Sequence, residues 1–62
     1  AAVYNATSVG PEHDQTFTVH VFSGETELGM GTGPNKKLAE QQAARQAMMF
    51  LHDNAAAVAV ID

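Results

Sequence analysis

The sequence predicts an α+β fold, a three-stranded antiparallel sheet with a C-terminal helix packed on one face. Three stretches carry that prediction. Residues 16–22 alternate with a period of two: Phe17, Val19 and Val21 on one side, Thr16, Thr18 and His20 on the other. Residues 26–32 place Gly29 and Gly31 at alternate positions, where a missing side chain lets another element approach the backbone. From Asn35 to about residue 52 the chain is rich in helix formers and free of Gly and Pro. Within that run Ala39, Ala43 and Ala47, followed by Phe50 or Leu51, form a stripe at helical spacing.

The elements follow in order. The first strand is expected at about residues 2–9, where Val3, Tyr4, Thr7 and Val9 favour extended chain although their alternation is loose. Residues 10–15 read as a loop by composition. The second strand is expected at about 16–23, with Phe22 interrupting its polar side and His20 on the open face of the sheet. Ser23-Gly24-Glu25 marks a hairpin turn. The third strand is expected at about 26–32, with Gly29 and Gly31 on one face and Leu28 and Met30 on the other. Small alanines opposite small glycines would let the helix, expected at about 35–52, lie close on the sheet. Met48 and Met49 read as core or rim positions and Arg45 as a solvated residue. His52 suits the negative end of the helix, with His52-Asp53-Asn54 as its stop. Residues 1–54 thus read as one domain, and residues 55–62 as an apolar tail: a further helical turn, an added strand or a frayed end.

Sixty-two residues allow one domain with a small core, worth only a few kcal/mol net. There is no cysteine, so neither disulfides nor thiolate metal sites are available. No apolar run approaches the roughly 20 residues that span a bilayer, and no signal peptide is visible. The expectation is an intracellular domain, in cytoplasm or nucleus, with no membrane partner. Catalysis finds no support. The acids are scattered, His13, His20 and His52 lack metal-ligand spacing, and no nucleophile constellation or Walker-type loop occurs. No catalytic residue, metal, cofactor or small-molecule substrate is therefore expected.

The charge pattern is more informative than its sum. The net charge of −4 argues against nucleic acid when taken alone. Yet the only bases, Lys36, Lys37 and Arg45, lie in one segment, and two of them open the helix. Cations at a helix N-terminus oppose the macrodipole and cost about 0.3–1 kcal/mol each. Gly33-Pro34-Asn35 supplies a turn and a cap before them. Two lysines placed against the dipole suit an anion, which would meet both N–H donors and ammonium groups.

Three separated motifs then align with one family. Gly10-Pro11-Glu12-His13, Phe17-Thr18-Val19-His20-Val21, and Gly29-x-Gly31-x-Gly33-x-Asn35-Lys36-Lys37-x-Ala39-Glu40-Gln41-x-Ala43-Ala44 occur in the order and spacing of the double-stranded-RNA-binding domain. The set resembles most the domain that follows the catalytic part of ribonuclease III enzymes, Dicer-type ones included. The similarity covers about residues 4–51. It implies the α-β-β-β-α fold, with both helices on one face of the sheet. The first of those helices has no counterpart before Ala1. A shortened chain is the preferred account; a helix supplied by another chain, or residues 55–62 covering the apolar face, are the alternatives.

The resemblance also implies roles. The loop carrying Pro11, Glu12 and His13 would enter a minor groove, with His13 and nearby carbonyls meeting 2′-hydroxyls. Asn35, Lys36 and Lys37 would meet phosphates across the major groove. The family often has a third lysine where this chain has Glu40, so weak binding is expected. The function implied is non-catalytic recognition of double-stranded RNA, as a module of a ribonuclease III-type endonuclease whose catalytic residues lie in a separate domain. An architectural contact with structured RNA in a ribosome-associated relative fits the same residues. The alternative class is a degenerate member acting as a protein-interaction or dimerisation module, which the net charge, Glu40 and the missing helix favour.

Overall fold

The computed structural model describes residues 2–53, and the expectations for the tail at 55–62 lie outside the described residues. Strands β1 (Ala2–Val9), β2 (Thr16–Ser23) and β3 (Thr26–Gly33) precede one helix, α1 (Lys36–Asp53). The strands form a single antiparallel sheet in the order β1-β2-β3. The β2–β3 hairpin turns at Gly24, whose φ of 60° is the positive value that the first central position of a II′ turn needs.

The β1–β2 register runs unbroken from Ala2↔Ser23 to Val9↔Thr16. The β2–β3 register does not. Val21 pairs with Gly29 but Phe22 pairs with Glu27, which leaves Leu28 as an extra residue on β3. This bulge corrects the simple alternation read from the sequence, which put Leu28 with Met30. An inserted residue resets the facing of the strand. Leu28 therefore turns into the core at 7% exposure, while Met30 remains 37% exposed on the other face.

The core is Val19, Val21 and Leu28 from the sheet against Ala39, Ala43 and Ala47 from the helix, with Phe17, Phe50 and Leu51 packed at its margin. Close approach takes the place of bulk here. A Cβ on Gly31 would sit 2.4 Å from the Ala43 nitrogen and 2.5 Å from the Ala39 carbonyl oxygen. One on Gly29 would sit 2.6 Å from the Ala47 nitrogen. No side chain fits at those distances, so the two glycines set how near the helix lies. Met48 and Met49 are 69% and 60% exposed, not core or rim, because the alanine stripe points them outward.

The helix lies mainly on β3 and less on β2. It also finishes the outer edge of β3. The Met30 N–H donates to Gln46 Oε1 at 3.2 Å and the Thr32 N–H to Gln42 Oε1 at 3.4 Å. The match is metric: four helical residues rise about 6 Å and two strand residues about 6.7 Å. Two edge amides thus find partners on the helix. On the open face His20 stacks on Phe22, with ring centroids 6.1 Å apart, and its Nδ1 contacts Glu27 Oε1. Among the described residues no helix is long and apolar enough to cross a membrane.

Candidate nucleic-acid interface

The loop between β1 and β2 is shaped by Gly10. Its φ is 102°, and a Cβ there would lie 2.7 Å from the Asp14 carbonyl oxygen, so only glycine fits. The chain then closes on itself, with the Asp14 N–H donating to the Pro11 carbonyl at 2.9 Å. That bond makes Glu12 and His13 the central residues of a tight turn, and Pro11, Glu12 and His13 are all exposed. A turn with a fixed entry and an internal hydrogen bond presents its tip with little conformational freedom left to lose on binding.

The second group is built by a helix cap. Asn35 Oδ1 accepts the Leu38 N–H at 2.9 Å, and the Asn35 carbonyl accepts the Ala39 N–H at 3.2 Å. Asn35 is thus the N-cap, one residue before the helix rather than in it. Its Oδ1 is engaged in the fold, which leaves its Nδ2 donor for a ligand. Lys36 and Lys37 follow as the first two helical residues, both exposed, with no acid in the first turn. The Lys36 Nζ stands 4.0 Å from Glu40 Oε1, an exposed i,i+4 pair. Such pairs are worth at most a few tenths of a kcal/mol, so Lys36 is held loosely.

Strand register brings the two groups to one end of the molecule. Phe17 pairs with both Ser8 and Gly33, so the end of β3 lies beside the start of β2. The 10–15 loop enters β2 there, and the helix start leaves β3 there. A further residue, unread in the sequence, borders Lys37. Tyr4 of β1 joins Lys37, Glu40, Gln41 and Ala44 around an open cleft of about 570 Å³ between β1 and α1. Its signal was present only as an aromatic residue in a strand whose facing the sequence left loose.

Arg45 does not join the lysines. It lines a different depression with Met48, Met49, His52 and Asp53, towards the other end of the helix. His20 lies on the face away from α1, paired with Glu27. The site is therefore an exposed polar end with two consecutive lysines at the helix start and one imidazole at the tip of a turn.

Comparison with known proteins bears on this arrangement. The family described as "Double-stranded RNA binding motif" matches residues 3–51. The chain is 58% identical over 53 residues to Ribonuclease 3 of Corynebacterium efficiens, covering 86% of this chain and 22% of that protein. It is 58% identical over 55 residues to Ribonuclease 3 of Corynebacterium diphtheriae, covering 89% and 22%. Against Ribonuclease 3 of Mycolicibacterium smegmatis it is 44% identical over 54 residues, covering 87% and 24%. The chain spans under a quarter of the length of these curated relatives.

Proposed function

The chain belongs to the double-stranded RNA binding motif family, and on that premise we propose that its described surface binds duplex RNA by shape and catalyses nothing itself. The observation that carries the residue-level reading is the convergence of the Pro11-Glu12-His13 turn and the Asn35-Lys36-Lys37 helix start at one end of the sheet. A-form RNA offers 2′-hydroxyls in a shallow minor groove and phosphates flanking a major groove too narrow to read. A rigid turn tip bearing His13, with exposed carbonyls around it, has the donors and acceptors for 2′-hydroxyls. Lys36, Lys37 and the Asn35 Nδ2 have only donors, which suits phosphates. The two groups are chemically distinct and lie at one end, as contacts spanning neighbouring grooves require.

The relatives named above carry the name Ribonuclease 3. We propose that this chain serves such a nuclease as its accessory RNA-binding module, inside the cell, with cleavage performed elsewhere in the protein. The test is a titration of an RNA duplex of about 20 base pairs, longer than the roughly 16 that one such domain spans, against the matching DNA duplex at low salt. Preference for RNA, weakened by Lys36→Ala with Lys37→Ala, is the expected result. Equal affinity for both duplexes, or indifference to the lysine changes, overturns it.

A second reading, docking of a protein partner or of another copy, is favoured by a different observation. All eight residues of β1 are exposed, on an edge that the helix does not cover.

A further inference from the structure

The two edges of the sheet are finished differently. On β3, a bulge at Leu28 and the side chains of Gln42 and Gln46 occupy or distort the edge. These are the devices that stop a strand from pairing with another chain. On β1 none of them is present among the described residues. Its sequence, Ala-Val-Tyr-Asn-Ala-Thr-Ser-Val, contains no charge and no proline, and its register with β2 has no bulge. It is eight residues long, against a usual five or six. An edge of that kind is a template for strand addition.

Charge and register say what it fits. The chain carries seven acidic and three basic residues, and none of them lies in β1. A second copy of β1 can therefore approach without bringing like charges together at the seam. Antiparallel pairing keeps residues of one face opposite each other. With Ala6 on the twofold axis, Val3 faces the partner's Val9, and Asn5 faces the partner's Thr7, on the open side. Tyr4 faces the partner's Ser8 on the helix side. On the open side apolar meets apolar and polar meets polar, the Tyr4 hydroxyl stands where it can reach the partner's Ser8, and the same patch serves both copies, as a closed twofold interface demands.

We propose that β1 is a pairing edge through which two copies of this chain join, antiparallel about an axis at Ala6, into one continuous sheet. The inference gives geometry to the docking reading above and rests on it; the RNA reading stands or falls separately. Since the axis is normal to the sheet, both helices and both Lys36-Lys37 pairs fall on the same side of the joined sheet.

The test uses the 62-residue chain, which has no cysteine of its own. Sedimentation equilibrium is expected to show the mass rising with concentration from 6.5 kDa towards twice that value. Ala6→Cys, oxidised, is expected to give a disulfide-linked dimer that the β3 control Thr32→Cys does not give. Asn5→Lys with Thr7→Lys, which sets lysines opposite lysines, is expected to weaken association about fivefold or more while the far-ultraviolet spectrum stays unchanged. A mass of 6.5 kDa at every concentration overturns both the docking of a second copy and its geometry. Association with crosslinking at Thr32→Cys and none at Ala6→Cys overturns the β1 geometry alone.

Discussion

Two single atoms decide much of what this chain can do. The first is the Oε1 of the Glu40 carboxylate, 4.0 Å from the Lys36 Nζ. A phosphate drawn to Lys36 would meet that carboxylate as a like charge and as a competitor for the ammonium group. Both partners are exposed, at 64% and 43%, so the pair adds little to folding. Glu40→Gln removes the anion and keeps the shape. The expected outcome is RNA affinity raised about two- to fivefold at low salt, with stability changed by less than about 0.5 kcal/mol. Fluorescence anisotropy and a thermal melt measure the two effects on one sample. The second atom is the hydrogen that stands for a side chain at Gly31. A methyl there meets helix backbone at 2.4 Å, which no rotamer change relieves. Gly31→Ala is expected to cost about 1–3 kcal/mol as the helix is pushed off the sheet. For a domain of this size that is a fall in Tm of about 5–20 °C. Gly24, with nothing within 4 Å of its would-be Cβ, offers the contrast: its φ of 60° strains any side chain there, so Gly24→Ala is expected to cost about 1–2 kcal/mol through the backbone alone, with the helix undisturbed.

Among the elements, β3 and α1 are a matched pair rather than two units that happen to touch. Glycines bring the helix close, and closeness lets Gln42 and Gln46 reach the edge amides of Thr32 and Met30. Replacing both glutamines with alanine removes two hydrogen bonds on a wet edge. The expected loss is about 0.5–1 kcal/mol per bond, read by denaturant titration. The larger consequence is exposure of the β3 edge. If the parent pairs through β1 as proposed, light scattering of Gln42→Ala with Gln46→Ala is expected to show particles larger than its dimer. The strand positions, the hairpin at Gly24 and the alanine stripe were legible in the sequence, because period-two and helical spacing follow directly from which residues are buried. The bulge was not. An inserted Leu28 changes no composition, and only its pairing against Val21 and Phe22 exposes it. The glutamine cap was equally hidden, since it depends on the axial offset between a helix and a strand that spacing within either one does not contain. At the site, the motif order located the loop and the lysine pair. That Asn35 has its oxygen engaged in capping, and that Tyr4 borders Lys37, depends on contacts between elements that spacing along the chain does not hold.

For the molecule as a whole, the arithmetic of charge sets how RNA binding must behave. Net charge is −4, so the long-range field of the chain repels a polyanion at low ionic strength. Apart from the lone exposed Arg45, the cations stand at the end that holds Lys36 and Lys37, where a few phosphates would be within reach. Each neutralised phosphate releases counterions, and the slope of log K against log salt approaches about −0.9 per contact. Two lysines therefore predict a shallow slope, near −2, and not the steep dependence of a basic protein with six or more contacts. Lys36→Ala and Lys37→Ala should each flatten the slope by about one unit, and the double variant should leave little slope at all. The His13 turn follows a different rule. Its proposed partners are 2′-hydroxyls, which carry no charge, so His13→Ala should lower affinity for RNA at every salt concentration without altering the slope. Titrations from about 20 to 200 mM salt, run on parent, lysine and histidine variants with one RNA duplex, separate these terms. A His13→Ala line parallel to the parent and a flattened lysine line are the expected pair. A histidine variant that changes the slope, or lysine variants that do not, would place the phosphate contacts elsewhere on the chain.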